Sequence, residues 1–433
     1  LMCVLAVLFC FVSLSPVFAG GQADKGAAKT AEIQGNLRIL YPGTSDIERE
    51  IALDIERVTK EKYPKINFEF MYLVWADIEK KMAVMVQAKD YPDLMQVQDV
   101  VNAVAMDALE PLDSWMKNSA LTPDRFLAAP LDYMKVDGVQ YAIPGLAVAY
   151  AHVVNTDLLS KAGYSIDKLN SWEDVKGAVK AMTKGDVYGY AMANGGEGRF
   201  AFRDFMMVCL SNDVNPDDVS PASKAKYIEV LKLFNDIAPY TPQSQVTWLY
   251  PELFKAWEAG RTGMMHTGSY FTANLAPHGV TTMPRTKVVV FPKGPSAKER
   301  KAMVGASGYA MFKGSTQKDA AWKAMETIFS DEVLGKWAGS LGLPAAKYIT
   351  SDMMLSWAQK IYPDCAADHA RLMGEFSAAI DKYGVAMPRI VGQKAMEKVV
   401  QGSLVKMMSK QITPEQAYEE IKVGIEQVKA SLQ

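Results

Sequence analysis

Histidine and cysteine are scarce in this chain, at four residues each among 433, and neither sign of charge dominates, with 47 basic against 49 acidic residues for a net of −2. Each shortage excludes something. Without an excess of positive charge there is no long-range pull on a polyanion, so nucleic acid is not an expected partner. The histidines, His152, His266, His278 and His369, are scattered with no pair at metal-ligand spacing. Each is expected at a core edge or on the surface, and no metal or other cofactor is expected. There is no Walker loop and no H-E-x-x-H, and "GASGY" at Gly305–Tyr309 lacks the spacing of a nucleophile elbow. The glycine-rich "NGGEGR" from Asn194 is not a dinucleotide fingerprint. Paired carboxylates for glycoside hydrolysis leave no local pattern to read. The chain is therefore not expected to be an enzyme. No internal repeat is present, and after the first nineteen residues no apolar run is long enough to span a membrane.

Those first nineteen residues, "LMCVLAVLFCFVSLSPVFA", carry no charge and end on a small-residue pattern before Gly20. They read as the apolar region and cleavage site of a secretory signal peptide, which places the protein outside the cytoplasm. The alternative at this length is an uncleaved anchor, which would leave the protein membrane-associated. Residues 20–35 are small and polar and read as a flexible linker. After cleavage only Cys209 and Cys365 remain, far apart in sequence, and nothing in their spacing decides whether they pair. At this length two or three domains are expected. The 25 methionines read as core filler.

From Asn36 onward, short apolar runs alternate with amphipathic stretches, the pattern of an α/β fold. "NLRILYPGT" reads as a strand ending at Thr44. In the helix that follows, Ser45 or Asp46 can cap and Ile47, Ile51 and Ile55 share one face. "KINFEFMYL" is a second strand, followed by Trp75 at the turn and a helix capped by Asp77. "DLMQVQ" is a third strand, ending at Gln98 and Asp99. Strand–helix–strand order favours parallel pairing with right-handed crossovers. Ligands in such sheets sit beyond the carboxyl ends of the strands, where residues 44–46, Trp75 and Asp99 would face one crevice. The long extended run at residues 136–155, broken only by Pro144-Gly145, is able to leave one sheet and enter another.

Taken in order, seven stretches resemble the bacterial family-1 extracellular solute-binding proteins of ABC importers. They are "FMYLVWADIEKKMAVMVQAKDYPDLMQVQ"; "LEPLDSWM"; "VDGVQYAIPGLAVAYAHVVNTDLLSKAGYS" with "SWEDV"; "FKAWEAGRTGMMHTGSYF"; "FPKGPS" with "VGASGYAMFKGST"; "GLPAAK"; and "AMPRIVGQ". The carbohydrate-type members, to which maltose-binding protein belongs, are the nearest in pattern. The resemblance implies a two-lobed α/β binding-protein fold with three hinge crossings, near residues 147–150, 304–307 and 350–353. One lobe would comprise residues 36–146 with 306–351, the other 147–305 with 352–433. It also implies a monomer that closes on its solute and is recognised by membrane permease subunits. By position in the family pattern, the loop Thr44, Ser45 and Asp46, the cleft aromatic Trp75, and Gln98 with Asp99 carry over as ligand contacts. So do Tyr270, which stands where relatives have a tryptophan, Gly305 and Ser307 at the second crossing, and Arg389 at the cleft edge; Ser269, beside Tyr270 after a strand, reads as exposed and joins the candidate contacts. "YYN", common in relatives after the first crossing, is "HVVN" here.

Glu197 in the glycine loop and Trp248 after "PQSQVT" are added from the residues themselves. For Trp248, cleft and surface both remain open. For Trp75 the competing reading is a partly buried turn residue, and for Asp99 a helix cap. The other six tryptophans sit inside helix patterns and read as packing. A sugar has apolar C–H faces and a rim of hydroxyls, so aromatic rings and charged hydrogen-bonding groups suit it. The expected function is sugar or oligosaccharide binding for import. The alternatives are the same fold holding a peptide, polyamine or phosphate ester, or a secreted carbohydrate-active enzyme.

Overall fold

The computed structural model describes residues 33–43, 45–277 and 280–432. The signal segment, most of the linker, Thr44 and His278 lie outside the described residues.

The first strands form as the alternation predicts. β1 (Gly35–Pro42) pairs in parallel with β2 (Ile66–Leu73) over eight residues and with β3 (Leu94–Val97) on its other side. The helix between β1 and β2, α1 (Asp46–Lys62), starts on a full capping box. Ser45 accepts from the Glu48 backbone, and the Glu48 carboxylate accepts from the Ser45 backbone N–H and hydroxyl. Its buried stripe of Ile51, Ile55 and Val58 packs under the sheet. α2 (Trp75–Gln87) begins two residues before the expected cap, because extended Val74 already turns the chain. Asp77 therefore sits in the first turn, where its charge suits the helix N-terminus, rather than at the cap.

Short helices α3 (Val101–Ala105), α4 (Asp113–Lys117) and α5 (Ala128–Tyr133) follow. They lead to a hairpin of β4 (Lys135–Val136) and β5 (Val139–Gln140). β6 (Ala142–Asn155) then runs for fourteen residues, every one buried. After α6 (Thr156–Lys161), α7 (Trp172–Met182), β7 (Tyr188–Tyr190) and α8 (Arg199–Leu210), the chain adds β8 (Thr262–Gly268), β9 (Thr286–Val289) and β10 (Ala302–Met311). Two short strands, β11 (Leu343–Pro344) and β12 (Gly384–Ala386), complete a ten-stranded sheet of main order β2-β1-β3-β10-β6-β8-β7.

β6 and β10 explain the two-lobed shape. The first half of β6 pairs antiparallel with β10, while its second half pairs with β8 and β9. β10 in turn pairs with β3 at its far end. The two strands therefore belong to both lobes and join them. The fold is the mixed α/β, two-lobed architecture that the resemblance implied. One core is built from Leu37, Ile39, Leu94, Met325 and Trp337, and another from Phe202, Phe205, Val230 and Leu404. Among the described residues no helix is long and apolar enough to cross a membrane, and no group of three or more His, Cys, Asp or Glu could hold a metal ion. Cys209 and Cys365 are both buried and unpaired.

The histidines depart from expectation. His152, His266 and His369 are all buried rather than at a core edge or on the surface. Burial holds His369, whose ring lies 5.0 Å from that of Tyr362, down to a pKa of about 4. An unfolded histidine titrates near 6.5, so between pH 6.5 and 4 the unfolded chain binds the extra proton. Stability must then fall as pH falls through that window, by about 3 kcal/mol from this residue. Thermal melts across pH 7.5 to 4 should show a shallower acid limb in His369→Phe than in the parent; identical limbs would show that His369 does not contribute.

Candidate functional site

Where the two lobes face each other, Gln98 and Asp99 just beyond β3, Met387, and residues from α2, α3, α8 and the helix Gln393–Met408 enclose a cleft with about 60 Å³ of open space. Its deepest charges come from α8. The sequence "RFAFRDFMMVCL" is apolar except for Arg199, Arg203 and Asp204, and the two arginines stand one turn apart on one face. The helix can start here because of a glycine. Gly198 has φ +91°, and a Cβ there would lie 2.4 Å from the carbonyl oxygen of Glu397. The loop before it is seated by Gln401, whose side-chain amide donates to the Asn194 carbonyl at 2.6 Å.

Both guanidiniums reach across to the other lobe and share one acceptor. Gln98 Oε1 receives Arg199 Nη2 at 2.5 Å and Arg203 Nη2 at 2.9 Å. Arg199 also donates to the Trp75 carbonyl at 3.3 Å. Arg203 is only 6% exposed and its Nε has no hydrogen-bond partner. The rest of its surroundings are aromatic, with the guanidinium 5.4 Å from the centre of the Tyr150 ring.

The aromatic floor is made by the crossing strand and by the turn after β8. Tyr150 on β6 meets Tyr270 edge-on at 6.2 Å, and Tyr270 lies 5.5 Å from Tyr250. Gly268 permits this, since the Tyr270 ring folds back so closely that a Cβ at Gly268 would lie 2.3 Å from it. The hydroxyls of Tyr250 and Tyr270 face each other without a well-formed hydrogen bond, and burial pushes both phenols above their ordinary range. Behind the floor, His266 Nδ1 lies 2.7 Å from Asp204 Oδ1, both fully buried, and His152 Nε2 lies 3.1 Å from the Tyr190 hydroxyl. Burial raises the Asp204 carboxyl and depresses His152, so this layer is a fixed support beneath Tyr150.

Of the residues singled out from sequence, Gln98 and Asp99 line this cleft, and the others stand around it or apart from it in different roles. Trp75 is the first residue of α2, half-buried, and its indole N–H donates to Glu48 at 3.3 Å. Asp99 is not the cap of α3, which is Val100; its Oδ1 accepts the Val101 N–H at 2.9 Å from one residue before the cap, and its carboxyl lies on the cleft wall, where burial raises its pKa. Ser307, at the bulge in β10, is within 3.4 Å of Gln96 Nε2, and Gly305 lies against Met387 and Tyr150. Arg389 sits at the edge, donating to the Lys135 carbonyl on the opposite lobe, with its guanidinium 6.0 Å from the centre of the Tyr133 ring.

Glu197 is at the rim rather than the floor. It pairs with Lys80 of α2 at 3.2 Å and Lys394 at 3.1 Å, and the lysines hold its carboxyl down to about 2. Trp248 backs the glycine loop, with its carbonyl accepting from Gly195 at 2.7 Å and its ring in the cluster with Phe200 and Tyr250. Ser45 and exposed Asp46 serve the start of α1. Ser269, expected to be exposed, is fully buried, because its N–H pairs with Ala149 at 2.8 Å and draws it under the sheet.

Most of the cleft lining had no part in the expected set, foremost Arg199, Arg203 and Glu79, whose carboxyl burial raises. The signal for the arginines was present, as two cations four apart in an otherwise apolar helix.

The model of the bacterial extracellular solute-binding proteins matches residues 56–359. A binding protein of Brucella abortus (strain 2308) is 24% identical over 305 residues, which cover 68% of this chain and 72% of that one. Among solved structures, an ABC substrate-binding protein of Listeria monocytogenes in complex with cycloalternan is similar at TM-score 0.73. It is 18% identical, covering 91% of this chain and 98% of that one. Maltose-bound MalE3 of T. maritima is similar at TM-score 0.73 and 19% identity, covering 90% and 99%. At these identities the solved structures speak to the fold.

Proposed function

The chain belongs to the bacterial extracellular solute-binding protein family, and from that premise we propose that it is the extracytoplasmic binding subunit of an ABC importer. It takes up a sugar or oligosaccharide between its lobes and presents the closed form to membrane permease subunits. The observation that carries this reading is the cleft itself: polar groups from both lobes line it, the rings of Tyr150 and Tyr270 pack behind Arg203, and among the described residues the strands joining the lobes' sheets are β6 and β10. Two relatives of the same fold hold carbohydrate in their structures, a cycloalternan and a maltose. No hydrolytic role is assigned to the cleft carboxylates, and the protein acts as a monomer returning its solute unchanged. The lobes that move are residues 36–146 with 306–351 against 147–305 with 352–433, hinged at the crossings and near residues 350–353.

The cleft is too narrow for a pyranose as it stands, since small-molecule sites span roughly 300–1,000 Å³. Entry therefore needs the lobes to part, and affinity comes from closing them again. A thermal-shift panel of mono- and oligosaccharides tests the proposal directly, because a solute that binds only the folded chain raises its melting temperature. Trp75→Ala should remove that shift while changing the unliganded melting point by less than about 3 °C, given that the indole is only half-buried. A variant that melts early instead would make Trp75 a structural residue and remove it from the binding surface. Turnover of any sugar in the panel would replace the binding role with an enzymatic one.

A further inference from the structure

Among the described residues Arg199 and Arg203 form no ion pair, and the carboxylates of Glu79 and Glu397 act on Arg199 only from farther off. Among the described residues neither has a carboxylate oxygen within 4 Å, and the acceptor they share, Gln98 Oε1, is neutral. Removing a guanidinium from water without a counter-charge costs several kcal/mol, yet Arg203 is buried and one of its donors, Nε, bonds to nothing. The cations at the rim differ. Lys80 and Lys394 are both engaged by Glu197, and Lys394 reaches Glu397 as well, at 3.7 Å. The carboxylates that share the cleft, Glu79, Asp99 and Glu397, stand apart from both arginines by more than ion-pair distance. The positive end of α8 adds to the same field, because the helix begins at Arg199.

Resting on the saccharide reading above, we propose that the solute carries an anionic substituent, as a uronate does, and that Arg199 and Arg203 clamp it. On this account Gln98 Oε1 marks, in the closed chain, where one oxygen of the anion sits when the solute displaces the side chain. A planar guanidinium meets a carboxylate or a phosphate with two parallel hydrogen bonds, and a pair of guanidiniums one turn apart selects for a group with more than one acceptor oxygen. The sugar ring then lies toward Tyr150 and Tyr270, which adjoin Arg203.

Calorimetric titrations of the full chain with matched pairs test this: galacturonate against galactose, glucuronate against glucose, digalacturonate against galactobiose, and glucose 6-phosphate as the phosphate arm. The anionic member of at least one pair should bind tenfold or more tightly than its neutral partner, with the preference shrinking from 50 to 300 mM salt. The uronate and phosphate arms identify which anion is read. In Arg203→Met and Arg199→Met that ratio should collapse at least fivefold. The unliganded Arg203→Met chain should melt no lower than the parent, because an unpaired buried charge has been removed. Neutral saccharides binding as well as their anionic partners would overturn the clamp while leaving the saccharide reading in place. If no saccharide of either kind binds, both fall. A ratio that survives in both variants, or a marked loss of stability in Arg203→Met, would show the arginines to be structural.

Discussion

Gly308→Ala is expected to lower the melting temperature of the unliganded protein by about 5 °C. The position lies in β10 directly after the bulge at Ser307, where the strand shifts register against β6. A Cβ there would lie 2.1 Å from the Ile143 carbonyl oxygen and 2.9 Å from the Pro144 Cα. Both obstacles are backbone in a fully buried strand, so neither can rotate away, and the paired crossing strands must separate to accept the methyl. A cost of roughly 3–5 kcal/mol follows from such an overpacked site. Gly305 is the control, three residues earlier in the same strand. Its Cβ would meet only Met387 Cε and Tyr150 Cε2, each at 3.4 Å, which is ordinary contact. Gly305→Ala should shift melting by less than about 2 °C. Differential scanning calorimetry on the two variants decides it, and equal shifts would mean that the close approach at the bulge is not a constraint.

Tyr270→Ala should weaken binding of the preferred saccharide about 100-fold, near 2.7 kcal/mol, with a much smaller effect on the unliganded chain. The ring is one wall of the aromatic floor, packed on Tyr150 and Tyr250. Roughly 100 Å² of sugar face buried against it accounts for about 2.5 kcal/mol at 25 cal/mol per Å². Truncation opens a space that joins the cleft, so water fills it and little stability is lost. Tyr270→Phe separates the face from the hydroxyl. One neutral hydrogen bond contributes about 1 kcal/mol, so the phenylalanine variant should bind within about fivefold of the parent. Isothermal titration of both variants gives the comparison. A phenylalanine variant as weak as the alanine variant would make the hydroxyl, rather than the ring, the main contact.

Much of this architecture could be read from residues alone where the rule is local. Ser45, one of the two residues placed to do so, caps α1, and the strand–helix–strand start gives the parallel pairs of β1 with β2 and β3. The extended run through Pro144-Gly145 does continue from one half of the sheet into the other. The misreadings have local causes too. Asp77 looked like a cap because Asp is a common one, but extended Val74 starts the helix at Trp75 and leaves Asp77 inside the first turn. Ser269 looked exposed because Ser-Tyr follows a glycine, and no sequence rule reports that its N–H is claimed by Ala149 on another strand.

The candidate site was legible where it rests on a strand end, at Gln98 and Asp99, which line the cleft. It was not legible where it depends on which face of a buried helix meets a neighbouring lobe. Arg199 and Arg203 could be picked out as odd in an apolar helix. Their convergence on Gln98, about a hundred positions earlier, is a property of the folded chain alone. Glu197 and Trp248 show the converse, since both lie near the glycine loop as expected yet act at its rim and back rather than on the floor.

The two buried thiols have a practical consequence. A chain starting at residue 33 offers no sulfhydryl that a maleimide dye can reach, because Cys209 and Cys365 are its only cysteines and both are enclosed. One cysteine introduced at Lys80, facing Glu197 across the rim, would therefore label at a single place. The attached fluorophore would change surroundings each time the lobes shut, turning the protein into an optical reporter of its own solute.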